Sequence, residues 1–291
     1  MEVQKTDPAP VFDPTRYKET TRAQWQKTAD AWLKWTPQIQ EWLGPATELM
    51  LDLAEVRPGQ HVLDIAAGAG EPAITAAKRV APSGRVLATD ISENILRLAN
   101  SEALRQGISN LETRVMDGEH LDLPDGQFDC VLSRVGLIYF PNQQRALAEI
   151  RRVLKPGGRI AAMVFSTPAQ NGFFSIPVGI IRRHANLPAP QPGQPGPFSL
   201  GGGGVLEDAY RRAGFREITI QTVSAPVRMA SAAACVQFEQ ESFGALHQMM
   251  GNLSEEARAA TWAEVEDELS QFEGTHGFEA PCEMIIGVGV R

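Results

Sequence analysis

The sequence predicts an α/β protein built on a doubly wound, largely parallel sheet, and three observations carry that expectation. From Gln60 onward, short β-rich runs alternate with helical stretches, the pattern of successive βαβ units. The first run, Val62-Leu-Asp-Ile, enters a turn of small residues, Ala66-Ala-Gly-Ala-Gly70, and a helix follows from near Pro72. The chain has 291 residues, 43% of them apolar and 21% charged, which suits one elaborated globular domain rather than a disordered or fibrous chain.

Taken in order, residues up to about Pro14 read as a polar leader. An aromatic helical stretch follows from Tyr17 to about Ala54 and holds Trp25, Trp32, Trp35 and Trp42. Trp25 and Trp32 are seven residues apart, as are Trp35 and Trp42, so each pair can share a helix face. Packing is the plain explanation of such a stripe, and cover over a ligand the sharper one. Strands are expected at 61–66, 85–90, 111–116, 128–133 and 159–165, with helices at 72–81, 92–106 and 143–154. Lys155-Pro-Gly-Gly158 stops the last of these helices. Beyond the core come a helix at 173–184, a Pro/Gly-rich loop at 188–204 and a helix at 205–213. A strand at 217–223, helical material over 230–272 and a terminal strand at 283–290 complete the chain.

Charge and composition exclude several roles. With 35 acids against 27 bases the formal net charge is −8, which disfavours binding to phosphate backbones. The start, Met1-Glu-Val-Gln-Lys-Thr-Asp7, carries no basic segment followed by an apolar one, and no run approaches the roughly 18 apolar residues of a membrane span. A cytoplasmic protein without membrane insertion is expected. Cys130, Cys235 and Cys282 form no C-x-x-C pair and have no histidine at metal-ligand spacing, so they read as ordinary thiols and no metal is expected.

The turn at 66–70 is where chemistry concentrates. Gly68-x-Gly70-x-x-Ala73, with Asp90 twenty residues after Gly70, fits a dinucleotide fingerprint, so a nicotinamide cofactor is one candidate. Asp64, two residues before the turn, would repel a pyrophosphate at close range. S-adenosylmethionine instead carries an ammonium group and no phosphate. Met116-Asp117-Gly118 ends the third strand and could meet an adenine through the Asp carboxylate and the Gly118 amide. Asp64, Asp90 and Asp117 at three successive strand ends then match ammonium, ribose diol and adenine amine.

Four stretches together resemble class I S-adenosylmethionine-dependent methyltransferases, in the broad group similar to the ubiquinone/menaquinone-biosynthesis enzymes. They are V-L-D-I-A-A-G-A-G at 62–70, A-T-D-I-S at 88–92, M-D-G-E-H-L-D-L-P-D-G-Q-F-D at 116–129 and E-I-R-R-V-L-K-P-G-G-R at 149–159. The resemblance is strong over 60–165 and loose elsewhere. It implies a Rossmann-like seven-stranded sheet whose last strand is antiparallel, with 282–290 as the candidate for that strand. Residues 1–59 would form a helical lid segment and 60–166 the cofactor-binding core. The remainder, 167–291, would complete the sheet, and its covering loop at 167–204 and helical insertion at 229–276 would help roof the site.

The same resemblance implies roles residue by residue. Asp64, Ala66, Gly68 and Gly70 would form the loop at the methionine end, Asp90 would bind the ribose hydroxyls, and Ile91 would pack on the adenine. Asp117 with Gly118 would read the adenine edge, and the main chain at Arg134 would face the methionine amino group. The sequence departs from the pattern at Ala66, where many relatives have glycine. It also departs at R-V-G-L-I-Y-F-P-N over 134–142, which lacks the F-G-L-R-N of the quinone enzymes and weighs against a quinone acceptor.

Methyl transfer from a sulfonium is an in-line displacement that needs no covalent nucleophile, so positioning and exclusion of water are expected to carry it. No catalytic residue is assigned. Tyr139, just past the fourth strand, is a candidate to orient the acceptor, with simple packing beside Phe140 as the alternative. His184 and His247 lie on segments that could cover the acceptor, although a surface or core role is commoner for histidine. His61 opens the first strand at its far end, and His120 reads as structural. Tyr17 and Trp25 could close over the cofactor from the N-terminal helix.

The expectation is therefore transfer of a methyl group from S-adenosylmethionine to a small, partly hydrophobic O-, C- or N-acceptor, releasing S-adenosylhomocysteine. The alternatives are a nicotinamide-dependent oxidoreductase and a non-catalytic S-adenosylmethionine-binding protein. Phe140-Pro-Asn142 is not the D/N-P-P-Y/F of exocyclic-amine methylation, so the partner expected is a small molecule rather than nucleic acid. Homodimerisation is left open.

Overall fold

A computed structural model describes residues 12–190 and 193–291. Residues 1–11, most of the expected leader, and Gln191 and Pro192 of the Pro/Gly-rich loop lie outside the described residues.

The aromatic helical stretch is divided into two helices, α1 (Pro14–Lys34) and α2 (Thr36–Leu53). Asp13 caps α1 by accepting hydrogen bonds from the amides of Thr15 and Arg16 at 2.9 and 3.1 Å. The break falls at Trp35 because Pro37 has no N–H for a continuing helix but is tolerated in the first turn of a new one. Trp25 and Trp32 do share a face, their rings meeting edge-on at 5.3 Å. Trp35 and Trp42 instead meet through Phe238, at 5.3 and 6.4 Å.

The core follows as β1 (His61–Ile65), α3 (Ala73–Val80), β2 (Arg85–Asp90), α4 (Glu93–Arg105), β3 (Leu111–Val115), β4 (Phe128–Arg134), α5 (Gln143–Val153) and β5 (Leu154–Phe165). Then come α6 (Gly172–His184), α7 (Val205–Arg212), β6 (Arg216–Ser224), β7 (Val227–Met229), α8 (Ala232–Ser242), α9 (Gly244–Met249) and α10 (Glu255–Leu269). The chain closes with β8 (Glu273–Gly274), β9 (Gly277–Ala280) and β10 (Glu283–Val290).

Seven strands form one sheet in the order β3-β2-β1-β4-β5-β10-β6. β10 pairs antiparallel with both β5 and β6, and the other neighbours are parallel, so the expected Rossmann-like sheet with its antiparallel last strand is the one observed. Helices cover both faces, which is why β1 is buried from Val62 to Ile65 without alternation. The strand order reverses between β1 and β4, and a crevice opens there beyond the carboxyl ends of the strands.

Two local differences from expectation have simple causes. β5 begins at Leu154 rather than Arg159, since Leu154 pairs with Phe128 and the Lys-Pro-Gly-Gly segment loops out before Arg159 pairs with Cys130. The stretch expected to be helical over 229–276 divides into α8, α9 and α10 and ends in β8, which with β7 and β9 makes a separate three-stranded sheet. Strands of two to four residues are too short to show alternation and exist only through their pairing. Among the described residues no helix is long and apolar enough to cross a membrane.

The roof is tied down by indole N–H groups, each of which needs an acceptor when removed from water. Trp32 donates to the Ser242 carbonyl at 3.0 Å, Trp35 to Glu241 Oε2 at 2.7 Å and Trp42 to the Ala225 carbonyl at 2.8 Å. The N-terminal helices are thereby fastened to α8 and to the far end of the sheet.

Candidate functional site

The turn after β1 is held against β2. The Ala67 amide donates to the Thr89 carbonyl at 2.9 Å and the Thr89 hydroxyl to the Asp64 carbonyl at 3.1 Å. Ala66 adopts φ +58°, a left-handed conformation normally left to glycine, and Gly68 and Gly70 are at +55° and +116°. The departure at Ala66 thus sits where the backbone itself asks for glycine. Beside it, a Cβ on Gly136 would come within 2.5 Å of the Ala66 Cβ, so the turns after β1 and β4 touch without room for a further side chain.

β2 ends in Asp90, whose carboxylate accepts hydrogen bonds from the amides of Gly68 at 3.1 Å and Ser92 at 2.9 Å. Burial raises its carboxyl to about 6, against the lowering effect of the Ser92, Gly68 and Ile91 amides. Past β3, Asp117 accepts from the Glu119 amide at 2.9 Å and from Lys18 of α1 at 2.7 Å. Lys18 also pairs with the buried Glu119 at 2.7 Å. Burial pushes the Asp117 carboxyl up, but the Lys18 and Glu119 contacts outweigh it and hold it below the usual range. At Gly118 a Cβ would lie 2.7 Å from Phe140 Cζ and 2.8 Å from Ile65 Cγ2, so only glycine lets this backbone reach the crevice wall.

These elements line one cavity. Its two halves differ. One is lined by Ala66, Gly68, Glu71, Asp90, Ile91, Asp117, Gly118 and Arg134. The other is an aromatic and aliphatic chamber of Trp25 and Trp32 from α1, Ile39, Trp42 and Leu43 from α2, Phe165 at the end of β5, and Phe243 after α8. Tyr139 stands between them, 6.3 Å from the Trp25 ring, and burial pushes its hydroxyl up, so it stays neutral and can donate a hydrogen bond.

Several expected site residues lie elsewhere. Asp64 is fully buried behind the turn and is absent from the wall, because β1 continues through Ile65 and the Asp64 side chain emerges beneath the loop. Neither of its oxygens accepts a hydrogen bond, and burial drives its carboxyl far upward, with Arg134 pulling down and Glu71 pushing up. The acid on the wall at this end is Glu71, which sequence reasoning missed although it directly follows the glycine turn. Gly70 likewise backs the turn from outside the cavity. Its added Cβ would meet Ile74 at 2.9 Å and Ala99 at 3.3 Å.

Tyr17 packs beside Phe12 at 5.6 Å, outside the cavity lining, with burial raising its hydroxyl to about 12. Neither candidate histidine reaches the cavity. His184 meets Glu264 of α10 at 2.6 Å and ties α6 to the insertion, while His247 meets the Gln240 carbonyl at 2.6 Å beside the Trp262 ring. Both are committed to holding the roof together. Lys18, Trp32 and Trp42 were within the flagged aromatic stretch but unassigned. Phe243 had no sequence signal at all, since it arrives from an insertion far along the chain.

Comparison with known proteins agrees with this architecture. Residues 45–177 match the model of the ubiE/COQ5 methyltransferase family. The ubiquinone/menaquinone biosynthesis C-methyltransferase UbiE of Cupriavidus pinatubonensis is 43% identical over 113 residues, 39% of this chain and 46% of that one. The chain spans about half the length of the curated relatives it matches. Among solved structures, the YcgJ protein of Bacillus subtilis superposes with TM-score 0.54 at 20% identity, covering 85% of this chain and 98% of that one. A phosphoethanolamine N-methyltransferase of Haemonchus contortus, solved with S-adenosylhomocysteine, does so at TM-score 0.54 and 18% identity, covering 85% and 52%. The motif resemblance over the core is thus found again in the sequence match over 45–177, and the fold is shared with these solved structures.

Proposed function

We propose that this protein is an S-adenosylmethionine-dependent methyltransferase acting on a small, partly hydrophobic metabolite at an oxygen, carbon or nitrogen atom. The observation that carries the reading is the charge around the glycine turn. Glu71 and Asp90 on the wall place two carboxylates about a loop that in a dinucleotide site would hold pyrophosphate. A ligand bearing ammonium and sulfonium charge is attracted there, and a diphosphate is repelled.

When bound, S-adenosylmethionine supplies a methyl group on a cationic sulfur, open to in-line displacement. In this reading Asp90 accepts hydrogen bonds from the ribose hydroxyls, Ile91 packs on the adenine, and Asp117 and the Gly118 amide read its edge. Ala66 and Gly68 give the ligand close approach to backbone, and the Arg134 main chain lies at the amino-acid end. The aromatic chamber takes the acceptor and excludes water, Tyr139 orients it, and Trp25 closes over it from α1. Residues 1–59 then serve as lid, 60–166 as cofactor core and 167–291 as the rest of sheet and roof, in a cytoplasmic small-molecule reaction.

Isothermal titration with S-adenosylmethionine, S-adenosylhomocysteine and NAD tests this. Micromolar binding of the first two without NAD supports it, and NAD binding alone overturns it in favour of an oxidoreductase.

A further inference from the structure

Every charged side chain on the cavity wall, Lys18, Glu71, Asp90, Asp117 and Arg134, stands at the cofactor end. Among the described residues the other half is lined by no carboxylate, ammonium or guanidinium group and by no histidine or cysteine. It is bounded instead by the rings of Trp25, Trp32, Trp42, Tyr139, Phe165 and Phe243, drawn from α1, α2, the turn after β4, the end of β5 and the residue after α8. Trp32 and Trp42 spend their indole N–H groups on the Ser242 and Ala225 carbonyls, at 3.0 and 2.8 Å, so they offer the chamber carbon and π surface only. The Tyr139 hydroxyl, pushed up by burial, adds no charge.

Charge sorts the possible acceptors. An anionic acceptor, whether thiolate, phenolate or carboxylate, would give up its hydration in the chamber with no cation to replace it. A hydroxyl or a carbon acid would have to lose a proton during transfer, and no base stands at hand to take it. The free base of an amine needs neither, because its lone pair is already open to attack on a cationic methyl donor. As the N–C bond forms and the C–S bond breaks, the bonding pair passes to sulfur and the positive charge to nitrogen. A tertiary amine releases no proton in this step, and a secondary one sheds its proton to water afterwards. The faces of aromatic rings attract such a charge, most strongly where water is excluded. Rings already in place around the nitrogen would stabilise that charge as it forms.

We propose that the acceptor is an apolar secondary or tertiary amine, and that the aromatic chamber holds the ammonium that methylation makes. The inference rests on the cofactor reading above and narrows it to nitrogen.

The test is a calorimetric titration of the wild-type chain, with S-adenosylhomocysteine at saturation and without it. Three probes are used: phenethyltrimethylammonium, its neutral isostere with carbon in place of nitrogen, and phenylpropanoate as an anion. The ammonium is expected to bind on the order of 10-fold tighter than its isostere, with phenylpropanoate weakest. Phe243→Leu and Trp25→Leu each keep apolar bulk and remove a ring, and thermal melts confirm their folding. Each is expected to weaken the ammonium on the order of 3- to 10-fold and to narrow its lead over the isostere.

An isostere that binds the wild type as well as the ammonium does, or an anion that binds more tightly, would overturn the proposal. So would equal weakening of ammonium and isostere in both variants, or no binding of the ammonium at all. Should both variants fail to fold, the wild-type ranking still decides. Failure of S-adenosylhomocysteine to bind would instead overturn the cofactor reading, whereas its binding without any preference for the ammonium would sink the amine alone.

Discussion

Asp90 offers the sharpest quantitative prediction, because its carboxyl titrates at about 6 and its ionised form is the one that accepts hydrogen bonds from ribose hydroxyls. If only that form binds, the apparent dissociation constant for S-adenosylhomocysteine scales as one plus ten to the power of pKa minus pH. Relative to pH 7.5, affinity should fall about twofold at pH 6 and about 11-fold at pH 5. Titration calorimetry at these three pH values reads the effect directly. Asp90→Asn should bind weakly and with little pH dependence, since its amide does not titrate. A flat profile in the wild type, or an equal slope in Asp90→Asn, would refute the reasoning by showing that Asp90 is not the titrating contact. The effect on the unliganded fold has the opposite sign. A carboxyl held protonated to about 6 in the fold, against 3.8 when exposed, contributes stability that is present below pH 4 and lost as pH rises to 6, about 3 kcal/mol in all.

Three further outcomes are expected. Gly136→Ala would press a methyl against Ala66 Cβ at 2.5 Å and should cost about 1–3 kcal/mol in urea unfolding. The Ala66→Gly, Gly136→Ala double variant should recover part of that loss, and simple additivity would mean that the two turns do not couple. Glu239 of α8 is fully buried without a hydrogen-bond partner, and burial holds its carboxyl far above the usual range. Its raised folded pKa means stability lost as pH climbs above the unfolded carboxylate range. The advantage of Glu239→Gln should therefore grow from pH 5 to pH 8.5, and a constant difference would contradict this. Trp25→Ala removes edge contacts with Trp32 at 5.3 Å and Tyr139 at 6.3 Å, and it should weaken S-adenosylhomocysteine binding several-fold. Unchanged affinity and turnover would show that Trp25 is packing and not lid.

The core was legible in the sequence because its signals are local. Alternating β-rich runs, the Ala66–Gly70 turn and the acids at 90 and 117 each follow from what a single strand end or turn requires of its own residues. The register of β10 between β5 and β6 has no such local code, yet an apolar 283–290 run could find burial only in the sheet. The wall itself was less legible. Asp64 and Glu71 are separated by seven positions, and which of them faces the cavity depends on where β1 ends relative to the loop, a one-residue matter that reverses the direction of a side chain.

By itself, the sequence determined the class of the fold, the position of the turn and the likeness over the core, since periodicity and small-residue turns act at short range. Only the tertiary structure decided that His184 and His247 hold the roof rather than line the cavity, and that Phe243 closes the aromatic chamber. Those outcomes depend on contacts between segments as many as about 200 positions apart, such as Trp32 with Ser242. Burial and partner choice at such distances are set by the packing of the whole chain, which no window of sequence contains.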